Sequence, residues 1–520
     1  AVSVSDKTLY FCPSPLYGYG LDRLLARFEK EAPNSALLCV EADSELYELN
    51  KKNIDPSLAA NKKLHITNIC ESKDLCAIVR KTWGVRVFRR IETVRFTGGW
   101  QLFPELYETL CQAIRREIVT DWSNALTLAK LGRLYMRNAL RNLFLIPRFP
   151  SITKLSFGES PVLVLGAGPS LDEILEYLER RFTQTLRRPE SRSFKIICVD
   201  TCLGTLRDRN IPPDLVVILE SQHWNLGDFI GCRGWNIPMA MDISALPQSE
   251  EMLAGEGFLF MTPWTPLRIF ERLKGAGLLP GVIPPLGSVG LSAVELARHL
   301  SRGKIICAGL DFSFTVDKYH ARSTPGHRSR LDKQSRFCGF FNTAAYEASF
   351  AVHSKSNIPV RSNPAMQNYR SLFEREFAAD SRLFDIAGSG LHLGLKTLSP
   401  QDALEILASF PQRDDITAEQ KRENQFSLTE KLLFFIHDEK DRLEKLKNIL
   451  TGAAAAEKTQ LDTLIDECDY LWAHFPDYSG GLRPDLSDSS AEDSADRLSF
   501  LKRLRAEIDP VLKIYSCCGV

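Results

Sequence analysis

The sequence predicts an α/β fold: a central doubly wound, mostly parallel sheet, flanked by a smaller N-terminal α/β domain and a C-terminal helical region. Two observations carry that prediction. Between residues 155 and 395 short apolar runs alternate with stretches of helical spacing, and beyond residue 400 the apolar residues recur at helical spacing alone. At 520 residues the chain is also too long for one hydrophobic core. The divisions fall at 1–150, 151–398 and 399–520.

The first division opens with a strand-like run at 8–12, then Tyr17-Gly18-Tyr19-Gly20, a helical stretch at 21–31 and a second strand at 36–40 ending in Glu41 and Asp43. Strand, glycine turn, helix, strand and acidic tip outline a nucleotide-binding βαβ unit, although a small α/β domain with nothing bound has the same outline. Residues 122–143 carry leucines at helical spacing and read as a connector, closed by Pro147 and Pro150. In the middle division strands are expected at 162–165, 196–199, 215–219, 238–241, 258–261 and 304–308. Ligands of such sheets sit outside the C-terminal strand ends, so chemistry is expected in the loops that follow. In the last division helices are expected at 428–450, 458–472 and 498–514, with a polar loop at 477–496, as a hairpin or small bundle.

Composition narrows the function classes. Lys and Arg number 65, as do Asp and Glu, so the formal charge is zero, which argues against general nucleic-acid binding. No apolar run reaches the length of a membrane span. The N-terminus has no secretory signal pattern, and the 13 cysteines include no Cys-x-x-Cys pair, which together point to a reduced, cytoplasmic protein that binds neither nucleic acid nor membrane.

The sharpest motif runs from strand 162–165 into Gly166-Ala167-Gly168-Pro169-Ser170-Leu171-Asp172. Its glycines allow close backbone approach, and the helix start offers free amides to phosphate or carboxylate. Ser170 and Glu173 have capping-box spacing. A purely structural turn fits the same residues, and neither a Walker A loop nor a full dinucleotide fingerprint is present. Asp200 ends the next strand at the distance where an acid can meet a ribose, and Ile211-Pro212-Pro213-Asp214 leads through another strand to Glu220-Ser221. Gly287-Ser288 forms a second turn into a helix. Gly309-Leu310-Asp311-Phe312-Ser313-Phe314 is followed by Tyr319-His320 and a basic stretch to Arg336 that contains Arg322, Arg328 and Arg330. That stretch can steady a departing phosphate, or be a solvated basic loop.

The combination of GAGPSLD, the IPPD turn and GLDFSF followed by Tyr-His resembles the motility-accessory-factor (Maf) family, bacterial flagellin glycosyltransferases. Their central domain is similar to archaeal 6-hydroxymethylpterin diphosphokinase (MptE-like) and to bacterial CMP-sialic-acid sialyltransferases. The resemblance covers about 155–395 most specifically. It implies a Rossmann-like, sialyltransferase-like central domain that binds a nucleotide sugar. Gly166, Ala167, Gly168, Pro169 and Ser170 would then cradle the CMP phosphate and ribose. Asp200, Thr201, Glu220, Ser221, Gly287, Ser288, Asp311 and Phe312 would line the nucleotide pocket. His320, expected to titrate near neutrality, would be the general base, with Tyr319 and Arg322 steadying the leaving phosphate. His327 and His353 are expected to be bystanders. Sialyltransferases carry Asn at the position of Ala167, and relatives often carry Asp at that of Glu220.

The resemblance implies transfer of a nonulosonic sugar of pseudaminic or legionaminic type from CMP to Ser or Thr hydroxyls of flagellin or another motility protein. No Asp-x-Asp pair occurs in the chain, and a monophosphate leaving group needs no metal, so no metal and no cofactor are expected. Two alternatives stay open. One is diphosphokinase chemistry from ATP, which requires Mg²⁺ held by carboxylates such as Asp200, Glu220 and Asp311. The other is a non-catalytic nucleotide-binding accessory protein.

Overall fold

The run TLYFCP has no polar face, and such a strand is stable only where both of its faces are covered. The computed structural model describes residues 3–339, 348–409, 421–452, 458–476 and 491–517. It places that run, β1 (Thr8–Pro13), in a four-stranded parallel sheet with β2 (Ala36–Val40), β3 (Leu64–Thr67) and β4 (Arg90–Thr93), ordered β3-β2-β1-β4. Glu41, the acidic tip of β2, is buried and accepts a hydrogen bond from Ser14 Oγ at 2.9 Å, so it closes the turn after β1 internally.

The described residues form two compact units, one up to Gly132 with 473–476, the other 133–472 with 491–517. The boundary lies within one helix, Pro104–Asn142, whose second half is the expected connector. The three divisions expected from the sequence group as two because the C-terminal helices pack into the second unit. Glu439, fully buried on the helix Lys421–Leu450, there receives Arg272 (Nε to Oε1 2.6 Å) and the Tyr470 hydroxyl (3.3 Å). The helix Lys458–Glu467 is shorter than expected and Ala491–Cys517 longer; residues 477–490 of the expected polar loop lie outside the described residues.

The second unit is built on a nine-stranded parallel sheet. In chain order its strands are β5 (Val162–Leu165), β6 (Lys195–Val199), β7 (Leu215–Ile218), β8 (Met239–Asp242), β9 (Gly257–Met261), β10 (Gly281–Val282) and β11 (Ile305–Ala308). A small antiparallel pair, β12 (Phe350–His353) with β13 (Pro359–Ser362), then precedes β14 (Leu383–Ile386) and β15 (Lys396–Leu398). The sheet order is β10-β9-β8-β7-β6-β5-β11-β14-β15. From β5 the chain winds outward to β10, then returns to set β11 on the other side of β5 and continues to β15. The reversal falls between β5 and β11, and a crevice at such a switch point, beyond the C-terminal strand ends, is where this architecture binds ligands.

The C-terminal edge is braced from one side by the end of the helix Pro104–Asn142. Asn138 Nδ2 donates to the carbonyls of Ser221 (3.0 Å) and Ser244 (3.1 Å), and Asn142 Nδ2 to those of Ile243 and Ala245 (both 2.8 Å). Both amides are buried. They satisfy carbonyls that the loops after β7 and β8 leave without ladder partners.

Candidate active site

At the switch point the loops after β5 and β11 are joined to each other. Gly166 N donates to Ala308 O, and Gly168 N to Gly309 O, each at 2.8 Å. The Asp311 carboxylate accepts from Ser170 N (2.7 Å) and Ser170 Oγ (2.6 Å). These contacts correct two expectations. Ser170 makes no capping box: the helix Leu171–Phe182 has no side-chain cap from Ser170, whose hydroxyl is spent on Asp311. The glycines serve internal packing, since a Cβ at Gly166 would stand 2.5 Å from Gly309 O, and one at Gly168 2.5 Å from Asp311 Oδ2. The amides of Gly166, Gly168 and Ser170 are therefore engaged within the protein and do not stand free for a phosphate. Asp311 is 3% exposed and lies against Gly390 as well, so its oxygens staple the two loops together.

Phe312 adopts a left-handed φ of 48°, a costly conformation for an aromatic residue, which the surrounding packing enforces. Its carbonyl accepts from Ser362 Oγ (2.9 Å), and its ring lies 6.3 Å from that of Phe373.

The loop carrying Tyr319, His320 and Arg322 is clamped to the start of the same helix. The half-buried Lys318 reaches Asp172 Oδ2 at 2.6 Å, Arg322 N donates to the same carboxylate at 3.2 Å, and Ala321 N donates to Ala167 O at 2.9 Å. Tyr319 is sandwiched, with the Phe314 ring 4.4 Å away and the Arg330 guanidinium 4.4 Å over its centroid. His320 lies 5.0 Å from the Tyr319 ring, and its Nδ1 has no hydrogen-bond partner. Burial, with the charges of Arg330 and His327 adding to it, pushes its imidazole down to about 4. The near-neutral titration expected of His320 is thus corrected: it is a neutral imidazole throughout the physiological range. The Arg322 side chain is exposed.

A second group of carboxylates lies along β6 to β8. Asp200 follows β6 directly and is buried; its Oδ1 accepts from Thr201 N at 2.8 Å. In the orientation that its neighbours require, the Asn225 amide nitrogen bridges Asp200 Oδ2 (3.0 Å) and Asp228 Oδ2 (3.1 Å). Burial and the neighbouring Asp228 charge push Asp200 up to about 7; burial and Glu220 push Asp228 up to about 6. Asp242, in contrast, is used up by four donors, the N and hydroxyl of Ser244 and of Thr262, all within 2.7 Å. Ser221 is buried with its hydroxyl unpartnered. Gly287 has a left-handed φ of 67° and would meet the Tyr369 ring at 3.5 Å through a Cβ, and Ser288 leads into the helix Val289–Leu300 without capping it. Tyr135 feels the charges of Glu220, Asp242 and Tyr369, but burial is the main cause that lifts it to about 12.

The structure thus brings together two sets among the expected residues: 166–170 with Asp311, Phe312 and 319–322, and Asp200 with Thr201 beside Glu220. Lys318, Asn225 and Asp228 escape the sequence reading, and Asp172, quoted there within the glycine motif, is given no role of its own. Among the described residues no three His, Cys, Asp or Glu side chains are grouped as ligands for one metal ion. Asp311, one of the carboxylates that a diphosphokinase would need around Mg²⁺, is engaged by Ser170. Among the described residues no helix is long and apolar enough to cross a membrane.

The raised Asp200 carboxyl has a stability consequence. Its folded value lies above its unfolded one, so the folded state binds more protons between about pH 4 and 7, and stability falls as pH rises through that window. Asp200→Asn is therefore expected to unfold at a higher temperature than the native protein at pH 8, by roughly 1–3 kcal/mol, with the difference fading toward pH 4. Calorimetric scans at both pH values check the sign.

Residues 137–317 match the family model described as 6-hydroxymethylpterin diphosphokinase MptE-like. A solved structure, the Maf glycosyltransferase from Magnetospirillum magneticum AMB-1, superposes with a TM-score of 0.51 at 14% identity, covering 98% of this chain and 78% of that one. The chain accordingly shares the fold of that structure, and its large parallel sheet lies in the region that the family model matches. A Treponema pallidum (strain Nichols) protein described as uncharacterized is 28% identical over 99% of this chain and 89% of its own length.

Proposed function

We propose that the protein is a glycosyltransferase that moves a nonulosonic sugar from a CMP donor to Ser or Thr hydroxyls of flagellin or another motility protein in the cytoplasm. The observation that carries this reading is the switch point of a parallel sheet that matches the MptE-like model and the fold of the Maf glycosyltransferase, with basic and aromatic side chains on the β5–β11 side and ionisable carboxylates on the β6–β7 side. In this reading the donor phosphate faces the 318–330 segment, where Arg322 is exposed and Tyr319 is held in place by Arg330. Gly166 to Ser170 act by fixing Asp311 and the 318–322 loop. Asp200, Glu220 and the Gly287-Ser288 turn face the nucleotide from the other side.

His320 takes the hydroxyl proton as the acceptor oxygen attacks the anomeric carbon and the bond to the CMP phosphate breaks. The sugar passes to the acceptor, CMP leaves as a phosphate monoester, and the imidazole carries the proton. Arg330, whose charge adds to burial in depressing His320 in the free protein, also acts on the leaving phosphate.

Intact-mass measurement tests the reading. Flagellin incubated with the protein and a CMP-nonulosonate is expected to gain the mass of one or more sugar residues. Unchanged flagellin, in a reaction where the donor is shown to be intact, would overturn it.

A further inference from the structure

The helix Pro325–Asp332 turns back onto Tyr319 and His320. Ser323 makes the reversal with a left-handed φ of 67°. Thr324, fully buried, holds it: its hydroxyl donates to Ala321 O at 2.8 Å and accepts from His327 N at 3.3 Å, which caps the helix. The helix Leu203–Asp208 supports the turn from outside. A Cβ at Gly204 would stand 2.7 Å from Ser323 O, and Thr205 Oγ1 donates to Arg322 O. The turn is thereby fixed at both of its ends, and the helix that follows it has one place to lie.

Two positions of that helix, four apart and therefore on one face, meet the pair. Arg330 stands over the Tyr319 ring at 4.4 Å. Gly326 meets His320. The three atoms nearest to where its Cβ would stand all belong to that imidazole, Nδ1 at 2.9 Å, Cε1 at 3.3 Å and Cγ at 3.8 Å. Nε2 lies farther off, on the edge of the ring turned away from the glycine. The backbone itself makes no demand for glycine here, because residue 326 is helical and its φ lies outside the left-handed range. Alanine is the better helix former at such a position. The group that a side chain at 326 would displace is the imidazole.

We propose that Gly326 is a positioning residue: its bare Cα lets the His320 ring lie against the start of the helix, so that Nε2 is the nitrogen presented to the acceptor hydroxyl. The assignment rests on the glycosyltransferase reading, in which His320 takes that proton, and it names the residue that aims the base.

NMR of the full chain with labelled histidine tests the contact without substrate, His320→Ala assigning the signal. The native His320 ring should not titrate between pH 8 and about 5, because burial, Arg330 and His327 all hold it low. Gly326→Ala moves the ring out of its buried place, so it should titrate at least about one pH unit higher than the native ring, toward 6.5. Transfer by this variant should show kcat lowered about a hundredfold and a donor KM changed less than about twofold, since a displaced base loses its geometry and leaves donor binding alone. Adding Gly326→Ala to His320→Ala should cost no further activity and should raise the unfolding temperature, because only the helix preference then remains. An unshifted His320 titration in Gly326→Ala, a further loss of activity in the double variant, or an unfolding temperature lowered alike in both backgrounds would each overturn the inference. Release of CMP from a CMP-nonulosonate by the native protein measures the proposed function separately. Its absence would defeat that reading, while titration and unfolding would still decide whether Gly326 sets the imidazole.

Discussion

Replacing Asp311 by alanine is expected to lower the unfolding free energy of the second unit by about 4 kcal/mol. The carboxylate accepts two hydrogen bonds from Ser170, at 2.7 Å and 2.6 Å, with 3% of the residue exposed. A hydrogen bond to a charged group contributes about 1.5–3 kcal/mol, and its loss here also leaves a buried amide and hydroxyl unsatisfied. The carboxylate stands where the first turn of the helix Leu171–Phe182 lacks acceptors, so it also opposes the positive end of the helix dipole. Asp311→Asn keeps the volume and one acceptor and should recover about half of the loss. Urea unfolding followed by circular dichroism measures all three proteins. Asp317→Ala, at an exposed carboxylate in the same loop, supplies the reference. If Asp311→Ala is no less stable than that reference, the carboxylate does not join the two loops. Donor binding should fail along with stability, because the 318–322 loop is tied to the same helix start through Asp172.

That staple also marks how far the sequence could be read. The strands β5 to β9 and β11 are legible because each is an uninterrupted apolar run, as a parallel strand covered on both faces must be. β14 (LFDI) and β15 (KTL) are not, because charged residues interrupt them. Asp385 is tolerated in β14 because the buried Lys355, distant in sequence, meets it at 2.7 Å. The same limit governs the site. Ser170 and Glu173 have the local spacing of a capping box, yet the acceptor that wins is 141 residues away. Asn225 and Asp228 sit in a short 3₁₀ turn that has no motif of its own, and only the spatial approach of Asp200 gives them a role. His320 is visible as a residue in a motif, but its titration depends on burial and on Arg330, ten positions along, and spacing encodes neither.

The depressed His320 fixes the expected pH dependence of transfer. The dependence of kcat/KM on pH reports the ionisations of the free enzyme. Because the His320 imidazole is held at about 4, it is already in its proton-accepting form at any pH above that value. If His320 takes the hydroxyl proton, kcat/KM should stay level from pH 8 down to about 5 and fall only below that, where an unperturbed histidine would already have lost activity near 6.5. His320→Ala should lower kcat at least a hundredfold, within the range that a positioned base contributes, while CMP binding by calorimetry changes little. The competing proton acceptor is the carboxylate pair. Asp200, pushed up to about 7, is protonated below that point, so a reaction relying on it would lose activity as pH falls through 7. Asp200→Asn would then abolish transfer, and its loss would exceed that of His320→Ala. The two assignments therefore differ by about three pH units in the position of the acid limb. A limb near 7 would move the base from the β11 side of the crevice to the β6 side. There it would lie next to Asn225 and Asp228, and the basic segment would be left with the phosphate alone.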